Sequence, residues 1–323
     1  MTKDKGPVNE MSDAKGEWKL IEWIRSRTRL DPTAFPIGPG DDMAMVGLGG
    51  ESQCLLTIDA LLEGTHFDLS KATPRQVGYK ALAVSLSDAA AMAAKPVCAL
   101  AWVGLPEARD MAFAKELSAG MADAAEQFAC PVVGGDITGW KQPLVTVGTA
   151  LVARPAGIIP IRRSGAKPGD LLFVTGDLGG SVLGRHLAFI PRVTEARQLA
   201  ALVTIHAMID LSDGLSTDLN HIAHESGVAA EIMADAIPIS EDAKRLAKES
   251  GKTPLEHALN DGEDFELLLA VEPIDAQDLL KQNPLQSVKL THIGRAIEGS
   301  GVTMIQPDGK RSTVKPGGYE HFK

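Results

Sequence analysis

Hydrophobic positions recur along this chain with two different spacings, and the two spacings predict a mixture of strands and helices. Short continuous or alternating apolar runs predict strands, whereas apolar residues three or four positions apart predict helices. We expect strands over residues 43–46, 54–58, 97–105, 130–136, 144–153, 171–175, 265–271, 287–293 and 302–305. We expect helices over residues 17–24, 77–94, 113–128 and 240–250. Because both halves mix these elements, the chain is predicted to have an α/β fold made of packed α+β layers.

One apolar spacing surrounds a dense set of acids and hydroxyls between residues 207 and 219. Leucines at every fourth position across 211–219 predict the buried face of a helix. Ser212 or Asp213 is the expected N-cap, which places Asp210 and Asp213 near the first helical turn. Acids are favoured at helix N-termini in any case, but two of them beside an apolar face exceed what capping needs. We therefore expect a metal or metal–phosphate role, because Mg²⁺ is commonly held by carboxylates together with substrate phosphates.

The composition of the chain changes at residues 154–169, which are rich in proline, glycine and basic residues. A chain of 323 residues is long enough for two domains of ordinary size. We therefore predict an N-terminal α/β domain over 16–153 and a C-terminal α/β domain over 154–323. Residues 1–15 are polar and contain glycine and proline, which predicts a flexible tail.

Composition and charge exclude several classes of function. The formal net charge of −10 argues against a nucleic-acid surface, since phosphate backbones are bound by clustered lysine and arginine. The three cysteines, Cys54, Cys98 and Cys130, form no CxxC pair and lie among apolar residues, which predicts reduced thiols and a cytoplasmic location. We find no apolar run of 18 residues and no signal sequence near the N-terminus, so no membrane association is expected.

Acids beside apolar runs recur at six places in the sequence. A single Asp in a glycine-rich turn is usually explained by turn chemistry, but six such places together indicate carboxylates that converge on one site. Such a cluster repels itself unless it is protonated or bound to metal. We therefore expect several Mg²⁺ ions and a polyphosphate at these acids, which are Asp41 and Asp42, Asp59, Asp88, Asp136, Asp210 and Asp213, and Glu263 and Asp264.

The common phosphate-binding and metal-binding motifs do not explain this pattern. The segment Gly251–Thr253 lacks the first glycine of a P-loop, because position 246 is Leu246. The sequence contains no protein-kinase signature set, no EF-hand spacing and no zinc-type cluster of cysteine and histidine. Residues 176–184 follow a predicted strand and precede a predicted helix. They are compatible either with an anion site or with plain strand–helix packing.

The order of these acidic segments resembles the family of thiamine-monophosphate kinases. The resemblance runs from residues 16–21 to residues 318–322, nearly the whole chain. It rests on Gly40–Asp42, Thr57–Asp59 with His66, Lys80–Asp88, Gly134–Asp136, Arg163–Asp170, Asp210–Leu215 and Gly262–Glu266. It implies transfer of the γ-phosphoryl group of ATP to thiamine monophosphate, which yields thiamine diphosphate. It also implies the two-domain fold of aminoimidazole ribonucleotide synthetase, in which the N-terminal sheets of a homodimer join into one barrel.

The resemblance also implies roles for individual residues. The N-terminal domain would carry dimerisation and Mg-ATP binding, and the C-terminal domain would complete the active site. By position, the Mg²⁺ ligands are Asp42, Thr57, Ile58 through its backbone, Asp59, Asp88, Asp136, Asp210 and Asp213. The residues expected to contact ATP are Gly135, Asp136, Arg163 and Ser212. Those expected to contact the thiamine substrate are His66, Glu263 and Tyr319. From the residues alone, Arg163 and His66 also fit surface positions, and Tyr319 also fits a C-terminal core anchor.

Some positions depart from the pattern of this family. The family usually has Thr at Ile58, Tyr at Phe265 and Gly at Asp261, and it often has an aromatic residue where this chain has Ser118. These departures leave every acid in place and concern base stacking more than the class of reaction. Two other functions fit the same acids, namely an aminoimidazole ribonucleotide synthetase-like ATP-dependent ligase and a non-catalytic nucleotide-binding dimer. The kinase reading favours direct in-line transfer, because no nucleophile motif is evident.

Overall fold

The computed structural model describes residues 17–320, which contain two sheets with helices packed on them. The first half holds eight elements: α1 (Glu17–Arg27), β1 (Ala44–Gly49), β2 (Ser52–Leu62), α2 (Pro74–Ala91), β3 (Lys95–Pro106), α3 (Met111–Gln127), β4 (Val132–Trp140) and β5 (Thr146–Arg154). Their strands form a five-stranded sheet in the order β1-β2-β5-β3-β4. β3 and β4 are parallel, whereas the other neighbouring pairs in this sheet are antiparallel.

The second half forms a seven-stranded sheet in the order β12-β11-β8-β10-β6-β9-β7. Two short 3-10 turns, Ser181–Leu183 and Arg185–Leu187, follow its first strand. The elements are β6 (Leu171–Thr175), α4 (Val193–Leu202), β7 (Ile205–Asp210), α5 (Leu215–Ser226), β8 (Ala229–Met233), α6 (Glu241–Ser250), α7 (Pro254–Asn260), β9 (Leu267–Val271), α8 (Pro273–Lys281), β10 (Leu290–Ile297), β11 (Gly301–Ile305) and β12 (Arg311–Val314). The prediction of an α/β fold built from layers is thus confirmed.

Helix α2 lies between the two sheets and is almost entirely buried. It begins with a capping box at Thr73, which satisfies backbone N–H groups that the first turn leaves unpaired. Its Leu82 and Leu86 share one apolar core with Met208 and Leu267 of the second sheet. An apolar helix buried on several sides is the expected element at the centre of such a molecule. Any polar side chain on α2 is therefore held close to both sheets.

Several predicted element boundaries are wrong, and each error moves an acid. The strand predicted over 130–136 continues to Trp140, so Asp136 lies inside β4 and not in a turn. Asp59 lies inside β2, because the ladder with β5 runs as far as Leu62. Helix α5 begins at Leu215 and has Gly214 as its N-cap.

The helix expected after β6 is replaced by the two 3-10 turns, and helices α4, α7 and α8 with strands β8 and β12 were not predicted. These elements are short, with weak periodicity of their own, and they gain stability by packing on the sheet. The predicted tail, residues 1–15, lies outside the described residues. Across residues 17–320, no helix combines the length and apolar character needed to cross a bilayer.

Candidate active site

Three of the predicted metal ligands come together where α2 meets the ends of two sheets. The carboxylates of Asp42, Asp88 and Asp210 each offer an oxygen within 4.8 Å of the others. Asp42 precedes β1, Asp88 lies in the last turns of α2, and Asp210 is the last residue of β7. Asp42 and Asp210 are almost fully buried, at 6% and 2% exposed. Residues 168 positions apart in sequence thus form one concentrated patch of acid.

Hydroxyl groups orient the carboxylates of this acidic cluster. Oγ of Ser87 donates a 2.6 Å hydrogen bond to Asp210, and Oγ of Ser85 donates one of 2.6 Å to Asp59. The hydroxyl of Thr57 donates to Asp88. Helix α2 therefore carries one acid of the cluster, the hydroxyl that orients Asp210 and the hydroxyl that orients the neighbouring Asp59. A carboxylate oxygen that accepts a hydrogen bond can still bind a cation through its remaining lone pairs.

Burial, and for two of them the charges of neighbouring acids, raises the pKa values of these carboxyl groups. Burial, followed by the charge of Asp42, raises the pKa of Asp210 to about 7. Burial and the charges of Asp59 and Asp210 raise the pKa of Asp88 well above its ordinary value. Burial also raises the pKa of Asp59. A bound divalent cation would remove this repulsion, because opposite charge favours the ionised carboxylates.

Arg163 is the basic residue that faces the cluster. Its Nε and Nη2 donate to Oδ1 of Asp42 at 3.1 and 2.6 Å, and its backbone N–H donates to Asp41 at 2.7 Å. Burial lowers the pKa of Arg163, but the charges of Asp42, Asp210 and Asp88 raise it by more than that. The second oxygen of Asp42, Oδ2, is buried and has no hydrogen-bond partner within the described part of the chain. A hard divalent cation fits this donor set, since it prefers carboxylate oxygens.

A second group of possible ligands lies at the start of α5, formed by Asp213, Asp218 and His221. The predicted side-chain N-cap at Ser212 or Asp213 is wrong, because Gly214 occupies that position without a side-chain hydrogen bond. Asp218 accepts instead from the N–H groups of Asp213 and Gly214, at 3.2 and 2.9 Å. Burial lowers the pKa of His221 to about 2, so its ring is neutral and able to bind metal.

Asp136 and Gly135 do not join the acidic cluster of their own chain. One row of paired residues crosses the first sheet from β4 to β2. It consists of Asp136, Trp102 of β3, Gly148 of β5 and Ala60 of β2. Three strand spacings separate Asp136 from Ala60, a distance of about 14 Å. Asp136 also shares the face of Ala60, whereas Asp59 points to the other face, toward α2. Within residues 17–320, the side chain of Asp136 accepts a hydrogen bond from the hydroxyl of Thr138 on the same strand.

The acidic segment 261–266 lies against the loop between β6 and α4, and nearly every side chain in it is occupied. Asp261 and Asp264 accept from the backbone N–H groups of Gly180 and Gly179. Gly179 has a φ of 84°, and a Cβ there would lie 2.6 Å from the backbone nitrogen of Ala258, so only glycine fits. Further contacts of this segment are Arg185 with Asp264, Phe189 stacked on Phe265 at 4.0 Å, and Arg192 with Glu266.

Of this segment, Glu263 is the acid expected to contact substrate. Its carboxylate bonds Nζ of Lys80 at 2.6 Å and Nδ1 of His186 at 2.8 Å. Burial would raise the pKa of Glu263, but the hydrogen bond to His186 and the charge of Lys80 lower it below its ordinary value. Lys80 also donates to the carbonyl oxygen of His66 at 2.7 Å. Two residues expected to contact substrate are thus joined through one lysine.

Three further residues expected to bind metal, ATP or thiamine substrate, namely Ser212, Tyr319 and Ile58, lie outside the acidic cluster. The carbonyl oxygen of Ser212 accepts the N–H of Glu263 at 2.7 Å, which links the two acidic segments. The N–H of Tyr319 donates to the carbonyl of Asp213 at 3.1 Å, and its side chain is 44% exposed. The side chain of Ile58 is 79% exposed on the open face of β2, away from Asp59.

Sequence reasoning overlooked the residues that support this site, namely Ser85, Ser87, Lys80, His186 and Asp218. A signal for three of them was present, because polar residues at 80, 85 and 87 interrupt an otherwise apolar helix. His186 and Asp218 gave no such signal, since their partners are distant or depend on the loop conformation. The prediction named ligands but not the side chains that hold them.

Comparison with protein families places both halves of the chain. Residues 40–154 match the model described as AIR synthase related protein, N-terminal domain. Residues 175–306 match the corresponding C-terminal domain. Together these matches span more than half of the chain, so it belongs to the AIR synthase related proteins.

Individual relatives narrow the assignment. A thiamine-monophosphate kinase of Rhodopirellula baltica is 37% identical over 312 residues, which covers 94% of this chain and 97% of that protein. A thiamine-monophosphate kinase of Bacillus subtilis is 31% identical, with 95% and 99% covered. This chain is a member of the thiamine-monophosphate kinase family. The family named by the resemblance in the sequence is therefore confirmed.

Solved structures agree with membership of the thiamine-monophosphate kinase family. A structure titled "AaThiL complexed with AMPPCP and TMP" superimposes with a TM-score of 0.79 at 33% identity, covering 95% of this chain and 97% of that chain. A thiamine monophosphate kinase from Aquifex aeolicus has a TM-score of 0.75 at 31% identity, with 92% and 98% covered. HypE of Escherichia coli, at 20% identity and a TM-score of 0.68, shares the fold.

Proposed function

We propose that this protein transfers the γ-phosphoryl group of ATP to thiamine monophosphate and so forms thiamine diphosphate. The observation that carries the proposal is the acidic cluster of Asp42, Asp88 and Asp210, held by α2 in a member of the thiamine-monophosphate kinase family. A related structure has AMPPCP and TMP in its title, which supports a nucleotide and a thiamine phosphate as the two substrates. Phosphoryl transfer needs little beyond positioning and charge neutralisation, both of which this cluster favours.

We propose that several Mg²⁺ ions are held by the carboxylates of the cluster, with Asp59, Asp136, Asp213, Thr57 and the backbone of Ile58 as further ligands. When bound, Mg²⁺ neutralises the phosphate oxygens and lets them approach the carboxylates. The buried Oδ2 of Asp42 supports this placement because it is a ligand atom without a hydrogen-bond partner among residues 17–320. The pKa of Asp210 also supports it, because burial and the charge of Asp42 disfavour the ionised carboxylate until a cation compensates it.

We propose that Arg163, Ser212, Gly135 and Asp136 contact ATP and that His66, Glu263 and Tyr319 contact the thiamine substrate. A guanidinium group is suited to phosphate because it donates two parallel hydrogen bonds. Arg163 donates to Asp42 at the acidic cluster, and it can donate one of these hydrogen bonds to a phosphate oxygen instead. Because no nucleophile motif is evident in the sequence and positioning with charge neutralisation suffices for this chemistry, we propose direct in-line transfer without a phosphoenzyme.

We further propose that residues 16–153 form the dimerisation domain and that two copies close one barrel. Two observations support a homodimer. The face of the first sheet opposite α2 exposes large apolar side chains, among them Ile58, Leu100 and Trp102 at 79%, 49% and 42%. Within residues 17–320 the sheet also has two open edges, because there β4 pairs only with β3 and β1 pairs only with the first part of β2. Open edges and apolar faces of this kind are typically covered by another chain.

The same two edges carry the expected ligands that a single chain keeps apart. Gly135 and Asp136 lie on the open edge of β4, and Thr57 to Asp59 lie where β2 has lost its β1 partner. If β4 of one copy pairs with this part of β2 in the partner, Asp136 approaches Ile58 and Asp59 of that copy. The proposed site is then completed by both chains, with residues 154–323 supplying the remaining side.

The free thiols of Cys54, Cys98 and Cys130 support a cytoplasmic location.

The test is formation of thiamine diphosphate from ATP and thiamine monophosphate, followed by chromatography. We expect product that depends on Mg²⁺ and is lost in Asp42→Asn and Asp210→Asn. An ATP-dependent ligase of the aminoimidazole ribonucleotide type would instead leave thiamine monophosphate unconsumed, and a non-catalytic dimer would bind ATP without turnover. Inversion of configuration at a chiral γ-phosphorus would support direct transfer, whereas retention would contradict it.

A further inference from the structure

We propose that Lys80, assisted by His186, is a positioning residue that fixes the carboxylate of Glu263 for the thiamine substrate and joins the substrate side of the site to the acidic cluster. This inference rests on the proposed function. We call Lys80, His186, Glu263 and the carbonyl of His66 the Lys80 cluster. It lies outside the acidic cluster, and neither the comparisons nor the sequence motifs give Lys80 or His186 a role.

The contacts of Lys80 are unusual for a lysine. Its side chain is fully buried, at 0% exposed, in the apolar helix α2. Lysine is almost never fully buried unless it is paired, because removing the ammonium group from water is costly. Here Nζ lies 2.6 Å from Oε1 of Glu263 and 2.7 Å from the carbonyl oxygen of His66. A neutral apolar side chain would fill this position without that cost, so the charge serves its partners.

His186 completes the fixation of Glu263. Its Nδ1 lies 2.8 Å from Oε2 of Glu263, so both carboxylate oxygens are held by donors from different elements. Nδ1 also lies 3.3 Å from Nζ of Lys80. The side chain of Glu263 is 29% exposed, whereas the side chains of Lys80 and His186 are 0% and 11% exposed. Of the three side chains, that of Glu263 is therefore the one most accessible to a substrate.

The backbone at this position is held in a rare conformation. Glu263 has a φ of 52° and Phe265 a φ of 50°, values that side chains other than glycine rarely adopt. The strained segment is fastened by hydrogen bonds from the N–H groups of Glu263 and Phe265 to the carbonyls of Ser212 and Leu211. Strain of this kind persists where the surrounding structure determines it, and it is concentrated at functional sites. The backbone thus holds Glu263 in one conformation, and the contact with Lys80 positions its carboxylate.

Helix α2 connects this carboxylate to the metal side of the site. Lys80 and Asp88 are eight residues apart on one rigid helix, an axial distance of about 12 Å. Ser85 and Ser87, which orient Asp59 and Asp210, lie between them. Since α2 carries partners for both groups, the separation between the substrate carboxylate and the acidic cluster is fixed by one element. That separation matters because in-line transfer requires the two substrates in a narrow range of geometry.

The decisive variant is Lys80→Met, which keeps the length of the side chain and removes its charge. We expect the KM for thiamine monophosphate to rise by at least about tenfold, because Glu263 loses its charged partner. We expect the KM for ATP to change by less than about threefold. Glu263→Gln should raise the KM for thiamine monophosphate similarly. In the double variant Lys80→Met with Glu263→Gln, the two effects should not multiply, since Lys80 acts through Glu263.

Arg192→Met is the matched control. Arg192 is a half-buried partner of an acid in the same segment, and it bonds Glu266 at 2.5 and 2.8 Å. It should lower the melting temperature as Lys80→Met does, while leaving the KM for thiamine monophosphate within about threefold of the starting protein. Binding of thiamine monophosphate in equilibrium dialysis without ATP should follow the same order. If Lys80→Met fails to fold, His186→Leu decides the matter, because Glu263 then keeps Lys80 but loses one donor.

Three results would overturn the inference. These are an unchanged KM in Lys80→Met and His186→Leu, fully multiplicative effects in the double variant, or an equal rise in KM for Arg192→Met. The last result would mean that Lys80 only anchors the segment. Failure of the proposed function looks different, because the unmodified protein would then form no thiamine diphosphate. In that case, loss of thiamine monophosphate binding in Lys80→Met, with thiamine monophosphate binding intact in Arg192→Met, would still support the positioning role.

Discussion

Oγ of Ser87 donates a 2.6 Å hydrogen bond to Oδ2 of Asp210, and this contact joins the central helix of one half to the last residue of a strand in the other. Ser87 is 1% exposed and Asp210 2% exposed, so solvent cannot replace either partner. The geometry of the acidic cluster therefore depends on how α2 is seated against β7. Changes at Ser87 should be felt both in stability and at the metal side of the site.

Ser87→Ala tests this dependence. We expect it to lower the free energy of unfolding by about 1 kcal/mol, the usual net value of one buried hydrogen bond. The affinity for Mg-ATP should fall as well, since Asp210 loses the donor that orients it. Ser118→Ala is the control, because its hydroxyl bonds the carbonyl of Ala114 on an exposed helix face. That variant should stay within about 0.5 kcal/mol of the starting protein in urea unfolding.

The stability of the metal-free protein should decrease as the pH rises. Burial raises the folded-state pKa of Asp210 to about 7, whereas an unfolded aspartate titrates near about 4. Between these values the folded state binds a proton that the unfolded state has released. The free energy of unfolding therefore falls from about pH 4 through about pH 7.

Mg²⁺ should reverse this trend, because it binds the ionised carboxylates. Thermal melts at pH 5, 6, 7 and 8, with Mg²⁺ or with a chelator, measure the effect. The stabilisation by Mg²⁺ should grow with pH in the unmodified protein and be weaker in Asp210→Asn. A stabilisation that is the same at all four pH values would count against metal binding at the cluster.

Asp213→Asn separates a metal ligand from a purely structural residue. A ligand present at a hundredfold excess over its Kd stabilises the folded state by about 2.7 kcal/mol. If Asp213 binds the metal, most of this increment should disappear from melts with Mg²⁺ and a non-hydrolysable ATP analogue. Without ligand, the variant should be as stable as the starting protein or more so, since one negative charge near Asp218 is gone.

The exposed Asp278, at 85% side-chain exposure, provides the control Asp278→Asn, which should keep the full ligand-induced shift. A full shift together with normal turnover in Asp213→Asn would remove Asp213 from the set of ligands.

Leu100→Arg tests the proposed barrel. Leu100 stands in the middle of β3, 49% exposed on the apolar face of the first sheet. An arginine there would place a charge inside a dimer interface, so light scattering should give the 34.1 kDa mass of one chain and no longer about twice that value. Ile274→Arg, at an apolar position on α8 that is 75% exposed, should leave the dimer intact. A stable, active monomer of the unmodified protein would refute the dimer.

Mixing two inactive variants shows whether Asp136 acts across the interface. In a mixed dimer of Asp42→Asn and Asp136→Asn, one site would keep both carboxylates if Asp136 comes from the partner. After subunit exchange, activity should therefore return to about one quarter of the original value, since half the dimers are mixed and each has one intact site. If Asp136 serves its own chain, no mixed dimer has an intact site and activity stays absent.

Much of the fold could be predicted from local patterns. The apolar spacing found α2, α3 and α6 and most strands, because these elements bury a continuous face or run. The boundaries near Asp59 and Asp136 were wrong, since ladders with neighbouring strands extend both elements past the polar residue. The N-cap of α5 was wrong because the helix begins after Gly214, and Asp218, one turn further along, accepts the N–H groups of Asp213 and Gly214. Such choices depend on contacts that the local sequence does not encode.

By itself, the sequence determined the α/β layers, the family, and the acids that stand beside buried segments. The tertiary structure decided which of them meet. Asp42, Asp88 and Asp210 converge because α2 is packed between two sheets, whereas Asp136 lies three strands away on the opposite face. In a strand, neighbouring side chains point to opposite faces, so a residue's side of the sheet depends on register and on which strands pair. The partners of a buried charge such as Lys80 are likewise set by long-range packing, since only the folded chain brings position 263 to position 80.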